Sequence, residues 1–179
     1  MLSAPSKRRL GPTLARFRGH TAPKLTEEIG SFGRYRIVVS ERITPEFGVV
    51  AIDGSRVVEG SRRRDVYAVA LRLEGSSWKL ELGSPVHVRA IGPDPGTREQ
   101  LRVAQVAAAV EGPGGAGTAV MYVDGQTVSP TVARTASNAT LFANFDPALE
   151  RGRHTVVVFA SDGREASALA WAFTALKGP

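Results

Sequence analysis

A chain of 179 residues that is 42% hydrophobic and 22% charged holds enough apolar side chain for one large core or two small ones, which excludes a wholly disordered chain. It contains no stretch approaching the roughly 18 consecutive apolar residues of a membrane-crossing helix. Cysteine is absent, so disulfides and thiolate-held metals are excluded, although no compartment follows from that.

The formal net charge of +6 is unevenly spread. Within residues 1–36, Lys7, Arg8, Arg9, Arg16, Arg18, Lys24, Arg34 and Arg36 face only Glu27 and Glu28, and the remaining chain is balanced. The basic excess therefore belongs to the first stretch and not to the body. Its opening, MLSAPSKRRLGPTLARF, carries positive charge without the apolar run of a secretory signal. A cytoplasmic location and an export segment removed upstream are the two placements this allows.

In chain order, residues 1–32 read as a basic flexible arm, rich in proline and glycine, with room for a short helix over 24–29 where Thr26 precedes Glu27 and Glu28. Residues 33–84 read as a small antiparallel sheet domain. GRYRIVVSER is β-branched and aromatic, TPEFG breaks it, and VVAIDG ends in an Asp-Gly turn signal. In RRRDVYAVALRLEG, Val66, Ala68 and Ala70 alternate with Tyr67, Val69 and Leu71, and SSWKLELG follows as the partner strand across the turn EGSS.

RIVVSERITPEFGVVAID and VYAVALRLEGSSWKLEL resemble the strand segments of small cystatin-like or NTF2-like sheet domains. That resemblance implies an α+β sheet able to enclose a pocket. Gly11, Pro12, Gly19 and Pro23 interrupt the stretch in which such folds carry a long helix.

Pro85, Pro93 and Pro95 mark a junction, with 86–91 suited to an edge strand of either domain. Residues 85–179 then read as an all-β sandwich. RVAQVAAAVEG is alanine-rich enough for a helix, but TAVMYVDG, ATLFANFD, RHTVVVFASD and ASALAWAFT follow it as regularly spaced strands, which favours a strand here too. Trp171 and Phe173 lie two apart on one face of the last strand, as do His154, Val156, Val158 and Ala160 on the strand before.

The turn in YVDGQ, LERGRH before a strand, the acidic SDG after it and the closing WAF resemble a bacterial immunoglobulin-like domain over residues 86–176. The fold class expected is therefore mainly β: an immunoglobulin-like sandwich preceded by a small antiparallel, α+β-compatible sheet domain. The resemblance also implies that His154 occupies the place of a tyrosine whose hydroxyl bonds back to the preceding corner.

Chemistry is sparse. His20, His87 and His154 have no metal-ligand spacing, there is no GxSxG elbow, and PGGAG lacks the lysine of a phosphate loop. Asp53, Asp124 and Asp162 each precede glycine and read as turn markers. No catalytic, metal-binding or cofactor-binding residue is expected. The candidate anion contacts are Lys7, Arg8 and Arg9 in the arm and Arg62, Arg63 and Arg64, the latter read as a solvated loop.

The expected function is a non-catalytic binding or spacer module of a bacterial exported or envelope-associated protein. Its partner would be a protein or a cell-envelope polymer, with weak attraction of the arm to anionic surfaces. Two alternatives compete: a ligand-binding or enzymatic first domain, and nucleic-acid association through the arm.

Overall fold

A computed structural model describes residues 1–10, 31–58, 60–112 and 117–179, without the side chains at 31, 32 and 58. The helix expected at 24–29, His20 and most of the PGGAG segment lie outside these residues. The chain divides into two compact units, Met1–Ser84 and Pro85–Pro179.

In the first unit, β1 (Ser31–Arg42), β2 (Phe47–Val58), β3 (Ser61–Glu74) and β4 (Ser77–Glu81) form an antiparallel meander in sequence order. Gly60 (φ 75°) and Gly75 (φ 61°) take the left-handed conformation that the two tight hairpins need. Strand alternation puts Val39, Phe47, Val49, Ala51, Val66, Ala68 and Ala70 on one face, where all are buried. The opposite face carries Tyr35, Ile37 and Trp78, which are exposed.

Three expectations for this unit are corrected. The first residues are not a free arm: Leu2 bridges Leu80, the Ser3 amide donates to the Leu80 carbonyl at 2.8 Å, and Ala4–Leu10 forms a helix, α1. Ser3 caps this helix through its Oγ, which accepts from the Ser6 amide, while the Ser6 hydroxyl accepts from the Leu82 amide. A capped turn seated on the β4 edge thus replaces an arm. Secondly, Asp53-Gly54 does not turn the chain, because β2 runs straight through it. Thirdly, Arg62, Arg63 and Arg64 are not in a loop; they open β3, registered against Val57, Arg56 and Ser55.

The second unit contains β5 (His87–Gly92), β6 (Arg98–Glu99), β7 (Gln105–Glu111), β8 (Thr118–Val123), β9 (Gln126–Val128), β10 (Thr131–Arg134), β11 (Asn138–Asn144), β12 (Gly152–Ser161) and β13 (Ala166–Ala175). They form a four-stranded sheet, β10-β11-β7-β5, and a five-stranded sheet, β6-β13-β12-β8-β9. All pairings are antiparallel except the short β6 strip, which runs parallel to β13. This is the D-E-B-A and G-F-C-C′ strand order of the immunoglobulin sandwich.

Its core joins Val106, Val110 and Leu141 of one sheet to Met121, Val156 and Trp171 of the other. The Trp171 indole N–H reaches the Pro93 carbonyl at 2.9 Å, so the ring is buried without stranding its donor. The alanine-rich segment is a strand, and β5 lies at the sheet edge. Both faces of β12 are apolar and buried: Val157 and Phe159 are as inaccessible as Val156 and Val158.

Candidate functional site

The most developed polar cluster is at one end of the first sheet and is organised by Asp53. Asp53 lies opposite Arg36 on β1 and Val66 on β3, with Arg64 one pleat further along β3 on the same face. Its side chain is 1% exposed, and an ionised carboxylate so deeply placed requires compensation. Arg64 supplies it at 3.0 Å and Arg36 at 3.3 Å, both to Oδ2. The hydrogen bond to Asp53, and secondarily its negative charge, raise the Arg64 guanidinium above its ordinary pKa.

The geometry depends on a β-bulge. The β1 register slips between Phe32 and Tyr35 opposite Gly54, and a Cβ at Gly54 would lie 2.5 Å from the Arg34 carbonyl oxygen. Glycine is therefore required by close backbone approach, which is the physical meaning of the Asp-Gly pair here. The result is an open cleft of about 290 Å³ lined by Arg34, Tyr35, Arg36, Asp53, Ser55 and Arg64. Arg34 and Tyr35 are exposed, as are the guanidinium groups of Arg36 and Arg64. Arg62 extends the basic surface along β3 on the same face, while Arg63 lies on the other face, opposite Arg56.

A second buried carboxylate shows the contrasting, closed form. Glu81 is held by Arg9 at 3.1 Å and Arg72 at 3.0 Å, and Arg72 is stacked over the Phe47 ring. Both guanidinium groups are largely covered, so this cluster fixes α1 to the sheet and presents little charge to a ligand.

The six arginines and lysines singled out from sequence thus divide. Lys7 and Arg8 are exposed on α1, whereas Arg9 is engaged with Glu81 and with the Leu82 carbonyl. Arg64 belongs to the cleft, Arg62 follows it on the same face of β3, and Arg63 lies on the other face. Sequence reasoning missed Arg34, Arg36 and Asp53 as members of the same site; the available signal was a lone acidic residue directly after the apolar run at 49–52.

His154 has the structural bond expected of it. Its Nε2 donates to the Glu150 carbonyl at 2.8 Å, four residues upstream, and its Nδ1 lies 2.7 Å from Asp124 Oδ2. Asp124 also accepts from the Thr155 amide and hydroxyl. The imidazole is thereby tied between the β8–β9 turn and the start of β12, tilted against Phe173. Asp162 likewise serves a turn, accepting from the Arg164 and Glu165 amides. Among the described residues no group of three His, Cys, Asp or Glu side chains is placed to hold a metal ion. None of the helices described is long and apolar enough to cross a membrane.

No protein-family model matches the sequence, and no curated protein does. A solved structure described as the Titin M10–Obscurin like 1 Ig complex is similar to this chain, at 18% identity and a TM-score of 0.33. The match spans 54% of this chain and 99% of that one.

Proposed function

We propose that the chain is a non-catalytic binding module of a bacterial exported or envelope-associated protein. In this reading the sandwich acts as the spacer and the first unit carries the contact surface. The observation that carries it is the difference in how the two units use their polar side chains. In the sandwich, His154, Asp124 and Asp162 are bonded into turns and strand starts. In the first unit, arginines are held facing outward around a buried carboxylate. The partner is a protein or a cell-envelope polymer. Such sandwiches serve many unrelated roles, so the surface chemistry, and not the fold, supports this reading.

The cleft also favours one part of the competing account, a ligand-binding first domain, because it gathers several polar groups in one concavity. Nothing in its chemistry supplies an activated nucleophile or a proton-transfer pair, so the reading stops at binding.

The test is where the protein resides. Cells of the source organism would be fractionated and probed with an antibody raised against this chain. Recovery in the envelope or secreted fraction is expected, and recovery only with cytoplasmic markers would sink the placement.

A further inference from the structure

Residues 37–179 are electrically balanced along the sequence, but the fold brings arginines from both sides of that boundary together. Arg62 and Arg64 of β3 lie on the Asp53 face beside Arg34 and Arg36 of β1, at one end of the first sheet, whereas Arg63 alternates to the other face, opposite Arg56. Among the described residues Arg34, Arg62 and Arg63 have no ion-pair partner, and Arg36 and Arg64 share the same one. The neighbouring Arg56 is already neutralised by Asp65 at 2.6 Å. Uncompensated positive charge concentrated in this way repels itself and attracts anions.

The shape narrows the class of anion. The Asp53 carboxylate already fills the space between Arg36 and Arg64, so an added anion must meet the outward sides of guanidinium groups rooted two strands apart, about 10 Å, which favours repeated anionic groups over a single one. Guanidinium groups approach from both β1 and β3, and a phosphate offers strong acceptor oxygens in three directions, whereas a carboxylate presents one planar fork. Tyr35 is the one aromatic residue lining the cleft, while single-stranded nucleic acid is held by successive rings stacking on successive bases.

We infer that the arginine end of β1 and β3 is a binding site for a polymer with repeated phosphate groups, recognised through its backbone charge. Asp53 is the positioning residue: it fixes Arg36 and Arg64 so that their remaining N–H groups point outward. This goes beyond the envelope placement and does not depend on it.

The test is titration of the whole chain with fluorescently labelled inorganic polyphosphate, a phosphate chain without bases or sugars. Among the described residues Arg34 and Arg62 are exposed and have no ion-pair partner, so a variant with both changed to glutamine should fold normally by circular dichroism. It should bind at least about tenfold more weakly, with a reduced salt dependence reflecting about two fewer phosphate contacts, while Arg63→Gln, on the other face, should have a smaller effect. A Lys7→Gln, Arg8→Gln variant should bind like the natural chain. Undiminished binding by the Arg34/Arg62 variant, or loss of binding in the Lys7/Arg8 variant, overturns the site. Equal affinity for polyglutamate overturns the phosphate assignment. Oligothymidylate bound more than about tenfold tighter than polyphosphate, and weakened by Tyr35→Ala, overturns it in favour of nucleic acid.

Discussion

His154 and Asp124 meet at 2.7 Å across 30 residues of chain, and through them the β8–β9 turn is tied to the first residues of β12. Asp124 is held at φ 53°, a left-handed conformation, in the Asp-Gly turn between β8 and β9. The contact therefore does two jobs: it satisfies a buried imidazole and stabilises a turn residue in an uncommon conformation.

Replacing Asp124 with alanine removes three acceptor contacts and places a residue less tolerant of positive φ in the turn. The expected cost is about 2 to 3 kcal/mol of sandwich stability. His154→Tyr, which can keep a bond to the Glu150 carbonyl, should cost less than His154→Phe. Chemical denaturation followed through Trp171 fluorescence, in a Trp78→Phe background, reads the second unit alone.

Trp171 gives a second test in the same background. Truncation to alanine leaves a large cavity between the sheets and should cost about 3 to 5 kcal/mol. Trp171→Phe leaves the Pro93 carbonyl without its donor and keeps most of the packing, so about 1 kcal/mol is expected for the lost hydrogen bond. A phenylalanine variant as unstable as the alanine variant would contradict the packing account. Because Trp171 is absent from both variants, unfolding is followed here by near-ultraviolet circular dichroism.

At the first sheet, Arg36 and Arg64 serve one carboxylate and should behave non-additively. Each single glutamine variant leaves a guanidinium on Asp53, and both arginines are largely solvent-exposed, so each loss should be below about 1 kcal/mol. Removing both should cost clearly more than the sum. A double-mutant cycle with an additive result would show that Asp53 does not depend on this pair.

Gly54→Ala tests the bulge. The new methyl would meet the Arg34 carbonyl and the Tyr35 backbone, so β1 must shift, at about 1 to 3 kcal/mol. The variant should lose first-unit stability, read through Trp78, and lose affinity for any ligand of the cleft. Normal stability would mean that the bulge tolerates a side chain.

The sandwich was legible in the sequence because its strands alternate and are cut by turns at regular intervals. Even the alanine-rich β7 could be placed from the spacing of the strands after it, against its own helical propensity. The aromatic pair Trp171 and Phe173 followed from position along a strand, and the corner bond of His154 from the resemblance to immunoglobulin-like domains. The arginine cluster was not legible in the same way. Arg34 and Arg36 are separated from Arg62 and Arg64 by a whole hairpin, and only the β1–β2–β3 register brings them together. Asp53-Gly54 misled because a turn dipeptide and a bulge site look alike in sequence: both need glycine, one for its φ and the other for close backbone approach. α1 was hidden for another reason. Seven residues have little helical tendency alone, and this helix depends on the Ser3 cap and its seat on β4.

The central claim, that the first unit makes the contact and the sandwich spaces it, is most directly tested by site-specific photocrosslinking in cells of the source organism. A photoreactive phenylalanine would be placed at Tyr35, exposed in the cleft, and separately at Leu101, exposed on the sandwich. The account predicts an adduct from position 35 that is lost when Arg34 and Arg62 are changed to glutamine, and none from position 101. Adducts from position 101 alone would contradict it and move the contact surface to the sandwich.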